Sequence, residues 1–170
     1  MKTERLTIRL LEGTDWQRMM ALAADFEKSQ YAIYDMPFPA EEDAARELTR
    51  QFAESGLFFA VFLPENPEMI GYVCFHNADG FYDLGFRFHS VYQGKGYACE
   101  SCRALMEYLV RTRPVKGFTA GTALNNTPSC RLLEKLGFQC TATETLSFHK
   151  DAAGRDISFT GGLFACKPQK

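Results

Sequence analysis

The chain has 170 residues, 46% hydrophobic and 24% charged, with a formal net charge of −2. This is the balance of a globular protein that can bury a core without disulfide or metal staples, and its length suits a single domain over residues 1–170. It excludes nucleic-acid binding through a basic stripe, because the Lys and Arg residues are scattered, and membrane insertion, because no apolar run approaches the ~18 residues of a span.

In chain order, "RLTIRLL" (Arg5–Leu11) alternates apolar and polar residues and predicts a strand. Thr14 or Asp15 can cap a helix through "WQRMMALAADFEKS". "MPFP" (Met36–Pro39) breaks it, and Ala40–Ser55 is a second helix, acidic at its start and ended by Gly56. Two apolar strands follow, Leu57–Pro64 and Met69–His76, with a turn at Glu65–Glu68. "NADG" (Asn77–Gly80) reads as a hairpin turn into a strand at Phe81–Phe88.

A glycine loop then precedes a helix through "ACESCRALMEYLVRTR", stopped by Pro114. Gly117–Leu124 is a strand, and Asn125–Phe138 holds a short helix with Asn126 or Thr127 as cap, Pro128 in the first turn and Gly137 at the end. Two strands close the chain around the turn Asp151–Asp156. The strand–helix–strand unit requires a parallel pairing, while consecutive strands pair antiparallel. The expected fold class is therefore α/β, of α+β type: one mixed, mostly antiparallel sheet flanked by helices.

The stretch "YQGKGYACESC" (Tyr92–Cys102) holds two chemistries. A glycine loop running into a helix start is suited to a phosphate. The first-turn amides lack internal partners, the helix dipole is positive there, and glycine lets the backbone curl around the anion. A tight turn needing positive φ is the plainer explanation of two glycines. The dinucleotide fingerprint fails because Cys99 stands where a third Gly belongs, and the P-loop G-K-[ST] is absent.

Cys99 and Cys102 form a C-x-x-C at the helix start, where a thiolate is stabilised. A thiol–disulfide oxidoreductase would use such a pair. The spacer Glu100-Ser101 adds negative charge against the thiolate, and no second Cys/His pair is spaced for zinc, so no metal is expected. Two small residues packing one helix face account for the spacing. The other cysteines, Cys74, Cys130, Cys140 and Cys166, are isolated in apolar stretches, which suits reduced thiols in a cytoplasm. The charged start "MKTERLTIRL" does not look like a signal peptide.

The loop Gln93-Gly94-Lys95-Gly96-Tyr97-Ala98 resembles the Q-x-x-G-x-[GA] signature of the Gcn5-related N-acetyltransferases. Asn126-Thr127-Pro128-Ser129 followed by "LLEKLGF" (Leu132–Phe138), and the opening Glu4–Asp15, resemble the ribosomal-protein N-terminal acetyltransferase branch of that family. The resemblance covers nearly the whole chain. It implies the acyl-CoA N-acyltransferase fold and transfer of an acetyl group from acetyl-coenzyme A (acetyl-CoA) to a primary amine. The acceptor would be a peptide N-terminus or a small-molecule amine, and a homodimer is compatible with the family.

By the same resemblance the pantetheine arm pairs with the backbone of Phe86, Arg87 and Phe88. The pyrophosphate sits on Gln93, Gly94, Lys95, Gly96, Tyr97, Ala98 and Cys99. Asn126 would hydrogen-bond the cofactor near its thiol end, and Ser129 would hydrogen-bond or protonate the leaving thiolate. Helix capping also explains both residues.

Two departures stand out: Gly121 where some relatives carry a Glu, and Leu133 where many carry a Tyr acid. A catalytically silent acyl-CoA-binding module would tolerate them. The candidates left for a base are Asp83, His76, His89 and Glu144. The connector Phe26–Phe38, with Glu27, Tyr31, Tyr34 and Asp35, would either line a pocket for a cationic amine or simply pack.

Overall fold

The computed structural model describes residues 1–168. Its elements are β1 (Thr7–Leu10), α1 (Trp16–Phe26), α2 (Glu42–Glu54), β2 (Phe58–Phe62), β3 (Met69–Ala78), β4 (Phe81–Phe88), α3 (Tyr97–Thr112), β5 (Gly117–Ala123), α4 (Thr127–Lys135), β6 (Gln139–Lys150) and β7 (Asp156–Cys166). The strands form one sheet in the order β1-β2-β3-β4-β5-β7-β6. All neighbours pair antiparallel except β4 and β5, which are parallel. The mixed sheet expected from the element order is the one observed.

The run "FFAVF" of β2 has no polar alternation because both faces of the sheet are covered. Phe59 and Val61 join the larger core, which packs Ile70, Val73, Phe75, Leu84 and Phe88 against Cys102, Leu105 and Leu109 of α3 and Leu133 of α4. Phe58 and Ala60 face the other way, into a smaller core with Met19 and Leu22 of α1 and Phe52 of α2. The site lies where the central strands cross between these two layers.

One local expectation needs correction. Asp15 precedes α1 but makes no side-chain cap hydrogen bond to it. Its carboxylate takes both Nη atoms of Arg9 at 2.7 Å and the amide of Glu12 at 2.8 Å. A nearby guanidinium won over the helix amides, and the segment Gly13–Asp15 became a 3-10 turn. The "NADG" turn forms as expected, with Asp79 and Gly80 both at positive φ (51° and 85°).

The central event of the fold is a divergence. β4 and β5 pair over only three residues each, Phe81–Asp83 with Gly117–Thr119. Yet β4 stays paired with β3 as far as Phe88, and β5 with β7 as far as Ala123. Beyond Asp83 and Thr119 a wedge therefore opens between two strands that each remain held on their outer side.

Candidate active site

Which backbone groups line the wedge follows from the ladder on the other side of β4. His89 N–H donates to the Ile70 carbonyl at 3.0 Å, and Tyr72 is opposite Arg87. Backbone groups alternate between the two edges of a strand, so Gly85, Arg87 and His89 point toward β3. Leu84, Phe86 and Phe88 turn their N–H and C=O toward the wedge. Of the three residues expected to offer backbone there, Phe86 and Phe88 do. Arg87 does not, because its backbone belongs to the β3 ladder; the Leu84 carbonyl is also turned to the wedge, while its N–H closes the last pairing with β5 at Thr119. The Phe88 carbonyl is already engaged by Gln93 Nε2 at 2.9 Å. That bond ties the end of the strand to the loop that follows.

The loop has the predicted character. Gly94 (φ 73°) and Gly96 (φ 84°) are both left-handed, a region that costs an L-residue about 1–2 kcal/mol. Gly96 is the N-cap of α3 and has no side chain to satisfy the helix amides. The first α-helical bond is Glu100 N–H to Gly96 O at 3.0 Å. The amides of Tyr97, Ala98 and Cys99 thus point out of the helix without an acceptor inside it. A 3-10 turn at Ser90–Tyr92 leads into the loop. It is pinned by Asp25 of α1, which accepts from Ser90 N and Oγ at 2.7 Å each. Burial opposes ionisation of Asp25, but the two Ser90 bonds outweigh it and hold its carboxyl below the usual range.

Glu100 is an acidic residue one turn from these amides. Its carboxylate is folded back onto Thr3 Oγ1 (2.6 Å), Arg5 N (3.0 Å) and the Arg5 guanidinium (2.7 Å). Those donors outweigh its burial and keep its carboxyl below the usual range. The residues present fit a pyrophosphate: a glycine curl, free first-turn amides and a neutralised neighbouring acid. A groove of about 490 Å³ opens beside the loop, lined by Gly96, Cys99, Arg103 and Lys135 together with the carboxylates of Glu100 and Glu107.

Across the wedge, Asn126 caps α4, its side-chain oxygen accepting from Ser129 N at 3.3 Å. The capping role is therefore real, and it leaves the amide NH2 of Asn126 for other use. Ser129 is half-buried in the first turn. Leu133 is 1% exposed in the larger core, so in this chain that position serves packing and supplies no acid. Gly121 lies on β5, and a Cβ built there meets nothing within 4 Å. The floor of the wedge is open where some relatives place a carboxylate.

Alternation puts Gly121 on the same face as Thr119, whose Oγ1 donates to Asp83 at 2.8 Å. The connector between α1 and α2 passes over this face. Tyr34 rests on Phe159 of β7 with ring centroids 4.9 Å apart and accepts from Asn125 Nδ2 at 3.4 Å. Asp35 is bound by Arg87 at 2.6 Å, and its carbonyl contacts His149 Nε2 at 2.8 Å. Arg87 itself is mostly buried, its guanidinium 4.4 Å over the Phe26 ring. The connector is thus a packed strap. Asp35, expected as a candidate to attract a cationic amine, already has its cation.

Among the base candidates, His89 is structural, its Nδ1 accepting from Val91 N and its Nε2 3.6 Å from Asp25. Asp83 holds Thr119, and His76 lies edge-on to Phe58. Glu144 is exposed on β6, opposite Gly161, which is in turn opposite Ala123. Sequence reasoning did not single out Arg5, which touches the loop from the far end of the chain; a lone Arg before a strand carries no local signal.

Cys99 and Cys102 are not joined as a disulfide. Cys102 is fully buried, and burial, with a smaller effect from Cys99, raises its thiol well above the ordinary value. Cys99 is half-buried and both are free. Their spacing packs one helix face, as the plainer sequence explanation held. Among the described residues no group of three or more His, Cys, Asp or Glu is placed to hold a metal, and no helix is long and apolar enough to cross a membrane.

Comparison with known proteins agrees with this geometry. The model of the acetyltransferase (GNAT) domain matches residues 5–139. The chain is 32% identical over 139 residues to the uncharacterized N-acetyltransferase YnaD of Bacillus subtilis, covering 81% of each chain. It is 29% identical over 148 residues to the [ribosomal protein uS5]-alanine N-acetyltransferase of Escherichia coli, covering 81% of this chain and 76% of that one. The crystal structure of ribosomal-protein-S5-alanine acetyltransferase from Vibrio fischeri superposes with a TM-score of 0.82 at 16% identity, over 100% of this chain and 97% of that one.

Proposed function

The chain belongs to the GNAT acetyltransferase family, and from that premise we propose that it acetylates an α-amino group, that of a peptide N-terminus or a small-molecule amine of similar pKa. Transfer from acetyl-CoA to an amine is the family's reaction. The observation that carries the assignment of this site is the three-residue pairing of β4 with β5, which leaves the Leu84 carbonyl, both backbone groups of Phe86 and the Phe88 N–H without a strand partner beside a glycine loop. Acetyl-CoA supplies the activated acyl carbon and a thiolate leaving group.

The roles follow from position. The amides of Gly94–Cys99 hold the pyrophosphate, Lys95 adds charge nearby, and Gln93 fixes the loop to the strand. Arg103 and Lys135 supply cations along the adjoining groove for the nucleotide end. The wedge-facing backbone of β4 takes the pantetheine arm, and a free N–H there stabilises negative charge developing on the acyl oxygen. Asn126 uses its NH2 at the thiol end; as the nitrogen bonds to the acyl carbon and the C–S bond breaks, Ser129 gives its hydroxyl proton to the departing sulfur, and the proton shed by the acylated nitrogen restores it through solvent.

The acceptor is inferred from what the face lacks. Gly121 offers no carboxylate, Leu133 is in the core, and Asp35 is neutralised by Arg87. An amine that must lose its proton without a dedicated base benefits from a low pKa. Near pH 7 roughly a tenth of an α-amine is neutral, against about four parts in ten thousand of a lysine. The similarity to an enzyme that acts on the N-terminal alanine of a ribosomal protein favours the peptide.

The test is kcat/KM for an alanine-starting, lysine-free peptide against an N-blocked peptide containing one lysine. The neutral fractions alone give roughly a two-hundredfold preference for the α-amine. A preference for lysine would overturn the acceptor assignment.

A further inference from the structure

We propose that Arg5 is a positioning residue for the cofactor loop, so that the N-terminal segment is a working part of the acetyl-CoA site. The inference rests on the reading that Gly94–Cys99 hold the pyrophosphate.

Arg5 reaches three features of the loop and helix start at once. Its Nε and Nη2 grip the Glu100 carboxylate at 2.8 and 2.7 Å. Its Nη1 donates to the Lys95 carbonyl at 3.0 Å. Its guanidinium lies 5.0 Å over the Tyr97 ring, and its Nη2 is 3.3 Å from where a Cβ on Gly96 would sit. Its own backbone N–H and the Thr3 hydroxyl complete the donors around Glu100.

Two consequences bear on anion binding. The peptide between Lys95 and Gly96 is trans, so its N–H points opposite to its C=O. Fixing the Lys95 carbonyl on Arg5 fixes the Gly96 N–H on the other side of the peptide, directed away from Arg5. Second, Glu100 would place a bare negative charge one turn from amides that must receive a phosphate. Arg5 cancels that charge and draws the carboxylate to the N-terminal segment. An Arg does this and a Lys does not, because only the planar fork meets the Glu100 Oε2 through two nitrogens and the Lys95 carbonyl through the third.

The measurement is calorimetric titration with coenzyme A and steady-state kinetics with acetyl-CoA and with S-acetylpantetheine, which lacks the pyrophosphate. Arg5→Ala is expected to weaken coenzyme A binding about tenfold, the loss of one charge-assisted bond, and to leave KM for S-acetylpantetheine little changed. Arg5→Lys is expected to fall between wild type and Arg5→Ala. Arg5→Ala with Glu100→Gln should recover part of the loss, because the repelling charge is gone.

A purely structural role would lower the melting temperature and depress both acetyl donors alike, which overturns the proposal. If Gly94→Ala weakens coenzyme A binding and Arg5→Ala does not, the loop assignment stands and the role of Arg5 falls. If neither variant weakens it, the loop assignment itself falls.

Discussion

Replacing Gly94 by alanine separates a phosphate cradle from an ordinary turn. Gly94 has φ 73°, and a Cβ built there meets no protein atom within 4 Å. The substitution brings backbone strain of about 1–2 kcal/mol and no clash. In a domain of this size that lowers the melting temperature of the free protein by about 2–8 °C. The open space next to Gly94 is also where a phosphate would approach, so the added methyl displaces it from the amides. Acetyl-CoA at 100 times its Kd stabilises a fold by about 2.7 kcal/mol, or about 5–11 °C here. A tenfold weaker Kd at the same concentration leaves about 1.4 kcal/mol, or about 3–6 °C. Gly56, with φ 62° and no atom within 4 Å, is the matched control outside the loop. The assay is thermal melting of wild type, Gly94→Ala and Gly56→Ala, with and without acetyl-CoA, and with ATP and NAD as other phosphate ligands. Both variants should melt lower when free, and only Gly94→Ala should lose part of the acetyl-CoA shift. A full shift in Gly94→Ala would refute the cradle.

Asn126→Ala removes the α4 cap and should cost about 1 kcal/mol, some 2–4 °C of melting temperature. Asn126→Asp keeps the cap oxygen but loses the NH2, so it should melt near wild type and still bind acetyl-CoA more weakly; unchanged binding would reduce Asn126 to a cap. Cys102→Ala should cost about 1 kcal/mol for the lost sulfur contacts and retain acetyl transfer, whereas loss of turnover at retained stability would revive a thiol role. Gly121→Glu has room for its side chain and should raise the ratio of lysine to α-amine turnover; an unchanged ratio would mean that a missing base does not set acceptor choice. Asp25 has a folded pKa below its ordinary 3.8, so the stability it lends is complete above that value and is lost as pH falls through the lower folded one. Melting temperature against pH should therefore drop less steeply below 3.8 in Asp25→Asn than in wild type.

Much of the site was legible before the fold. Gly94, Gly96 and the start of α3 are a local matter, because positive φ and free first-turn amides depend on neighbours in the chain. The same holds for Asn126, whose cap contact lies three residues away at Ser129. Strand and helix order followed from periodicity and turn residues, and it fixed one parallel pairing in a mostly antiparallel sheet. The motif at Asn126–Phe138 also brought forward Ser129 as a candidate and the departures at Gly121 and Leu133.

What the chain order could not decide is set by contacts between distant segments. The backbone of Arg87 is lost to the wedge because of its register with Tyr72, and register depends on two strands at once. Asp35 looks free in sequence, yet Arg87, 52 residues away, neutralises it. Asp15 looks like a cap, yet Arg9 takes it across a 3-10 turn. Arg5 looks like a surface charge, yet it meets Lys95 and Glu100 some 90 residues on. Charged side chains are long and choose partners through space, whereas glycine torsions and helix caps are settled within a turn of the chain.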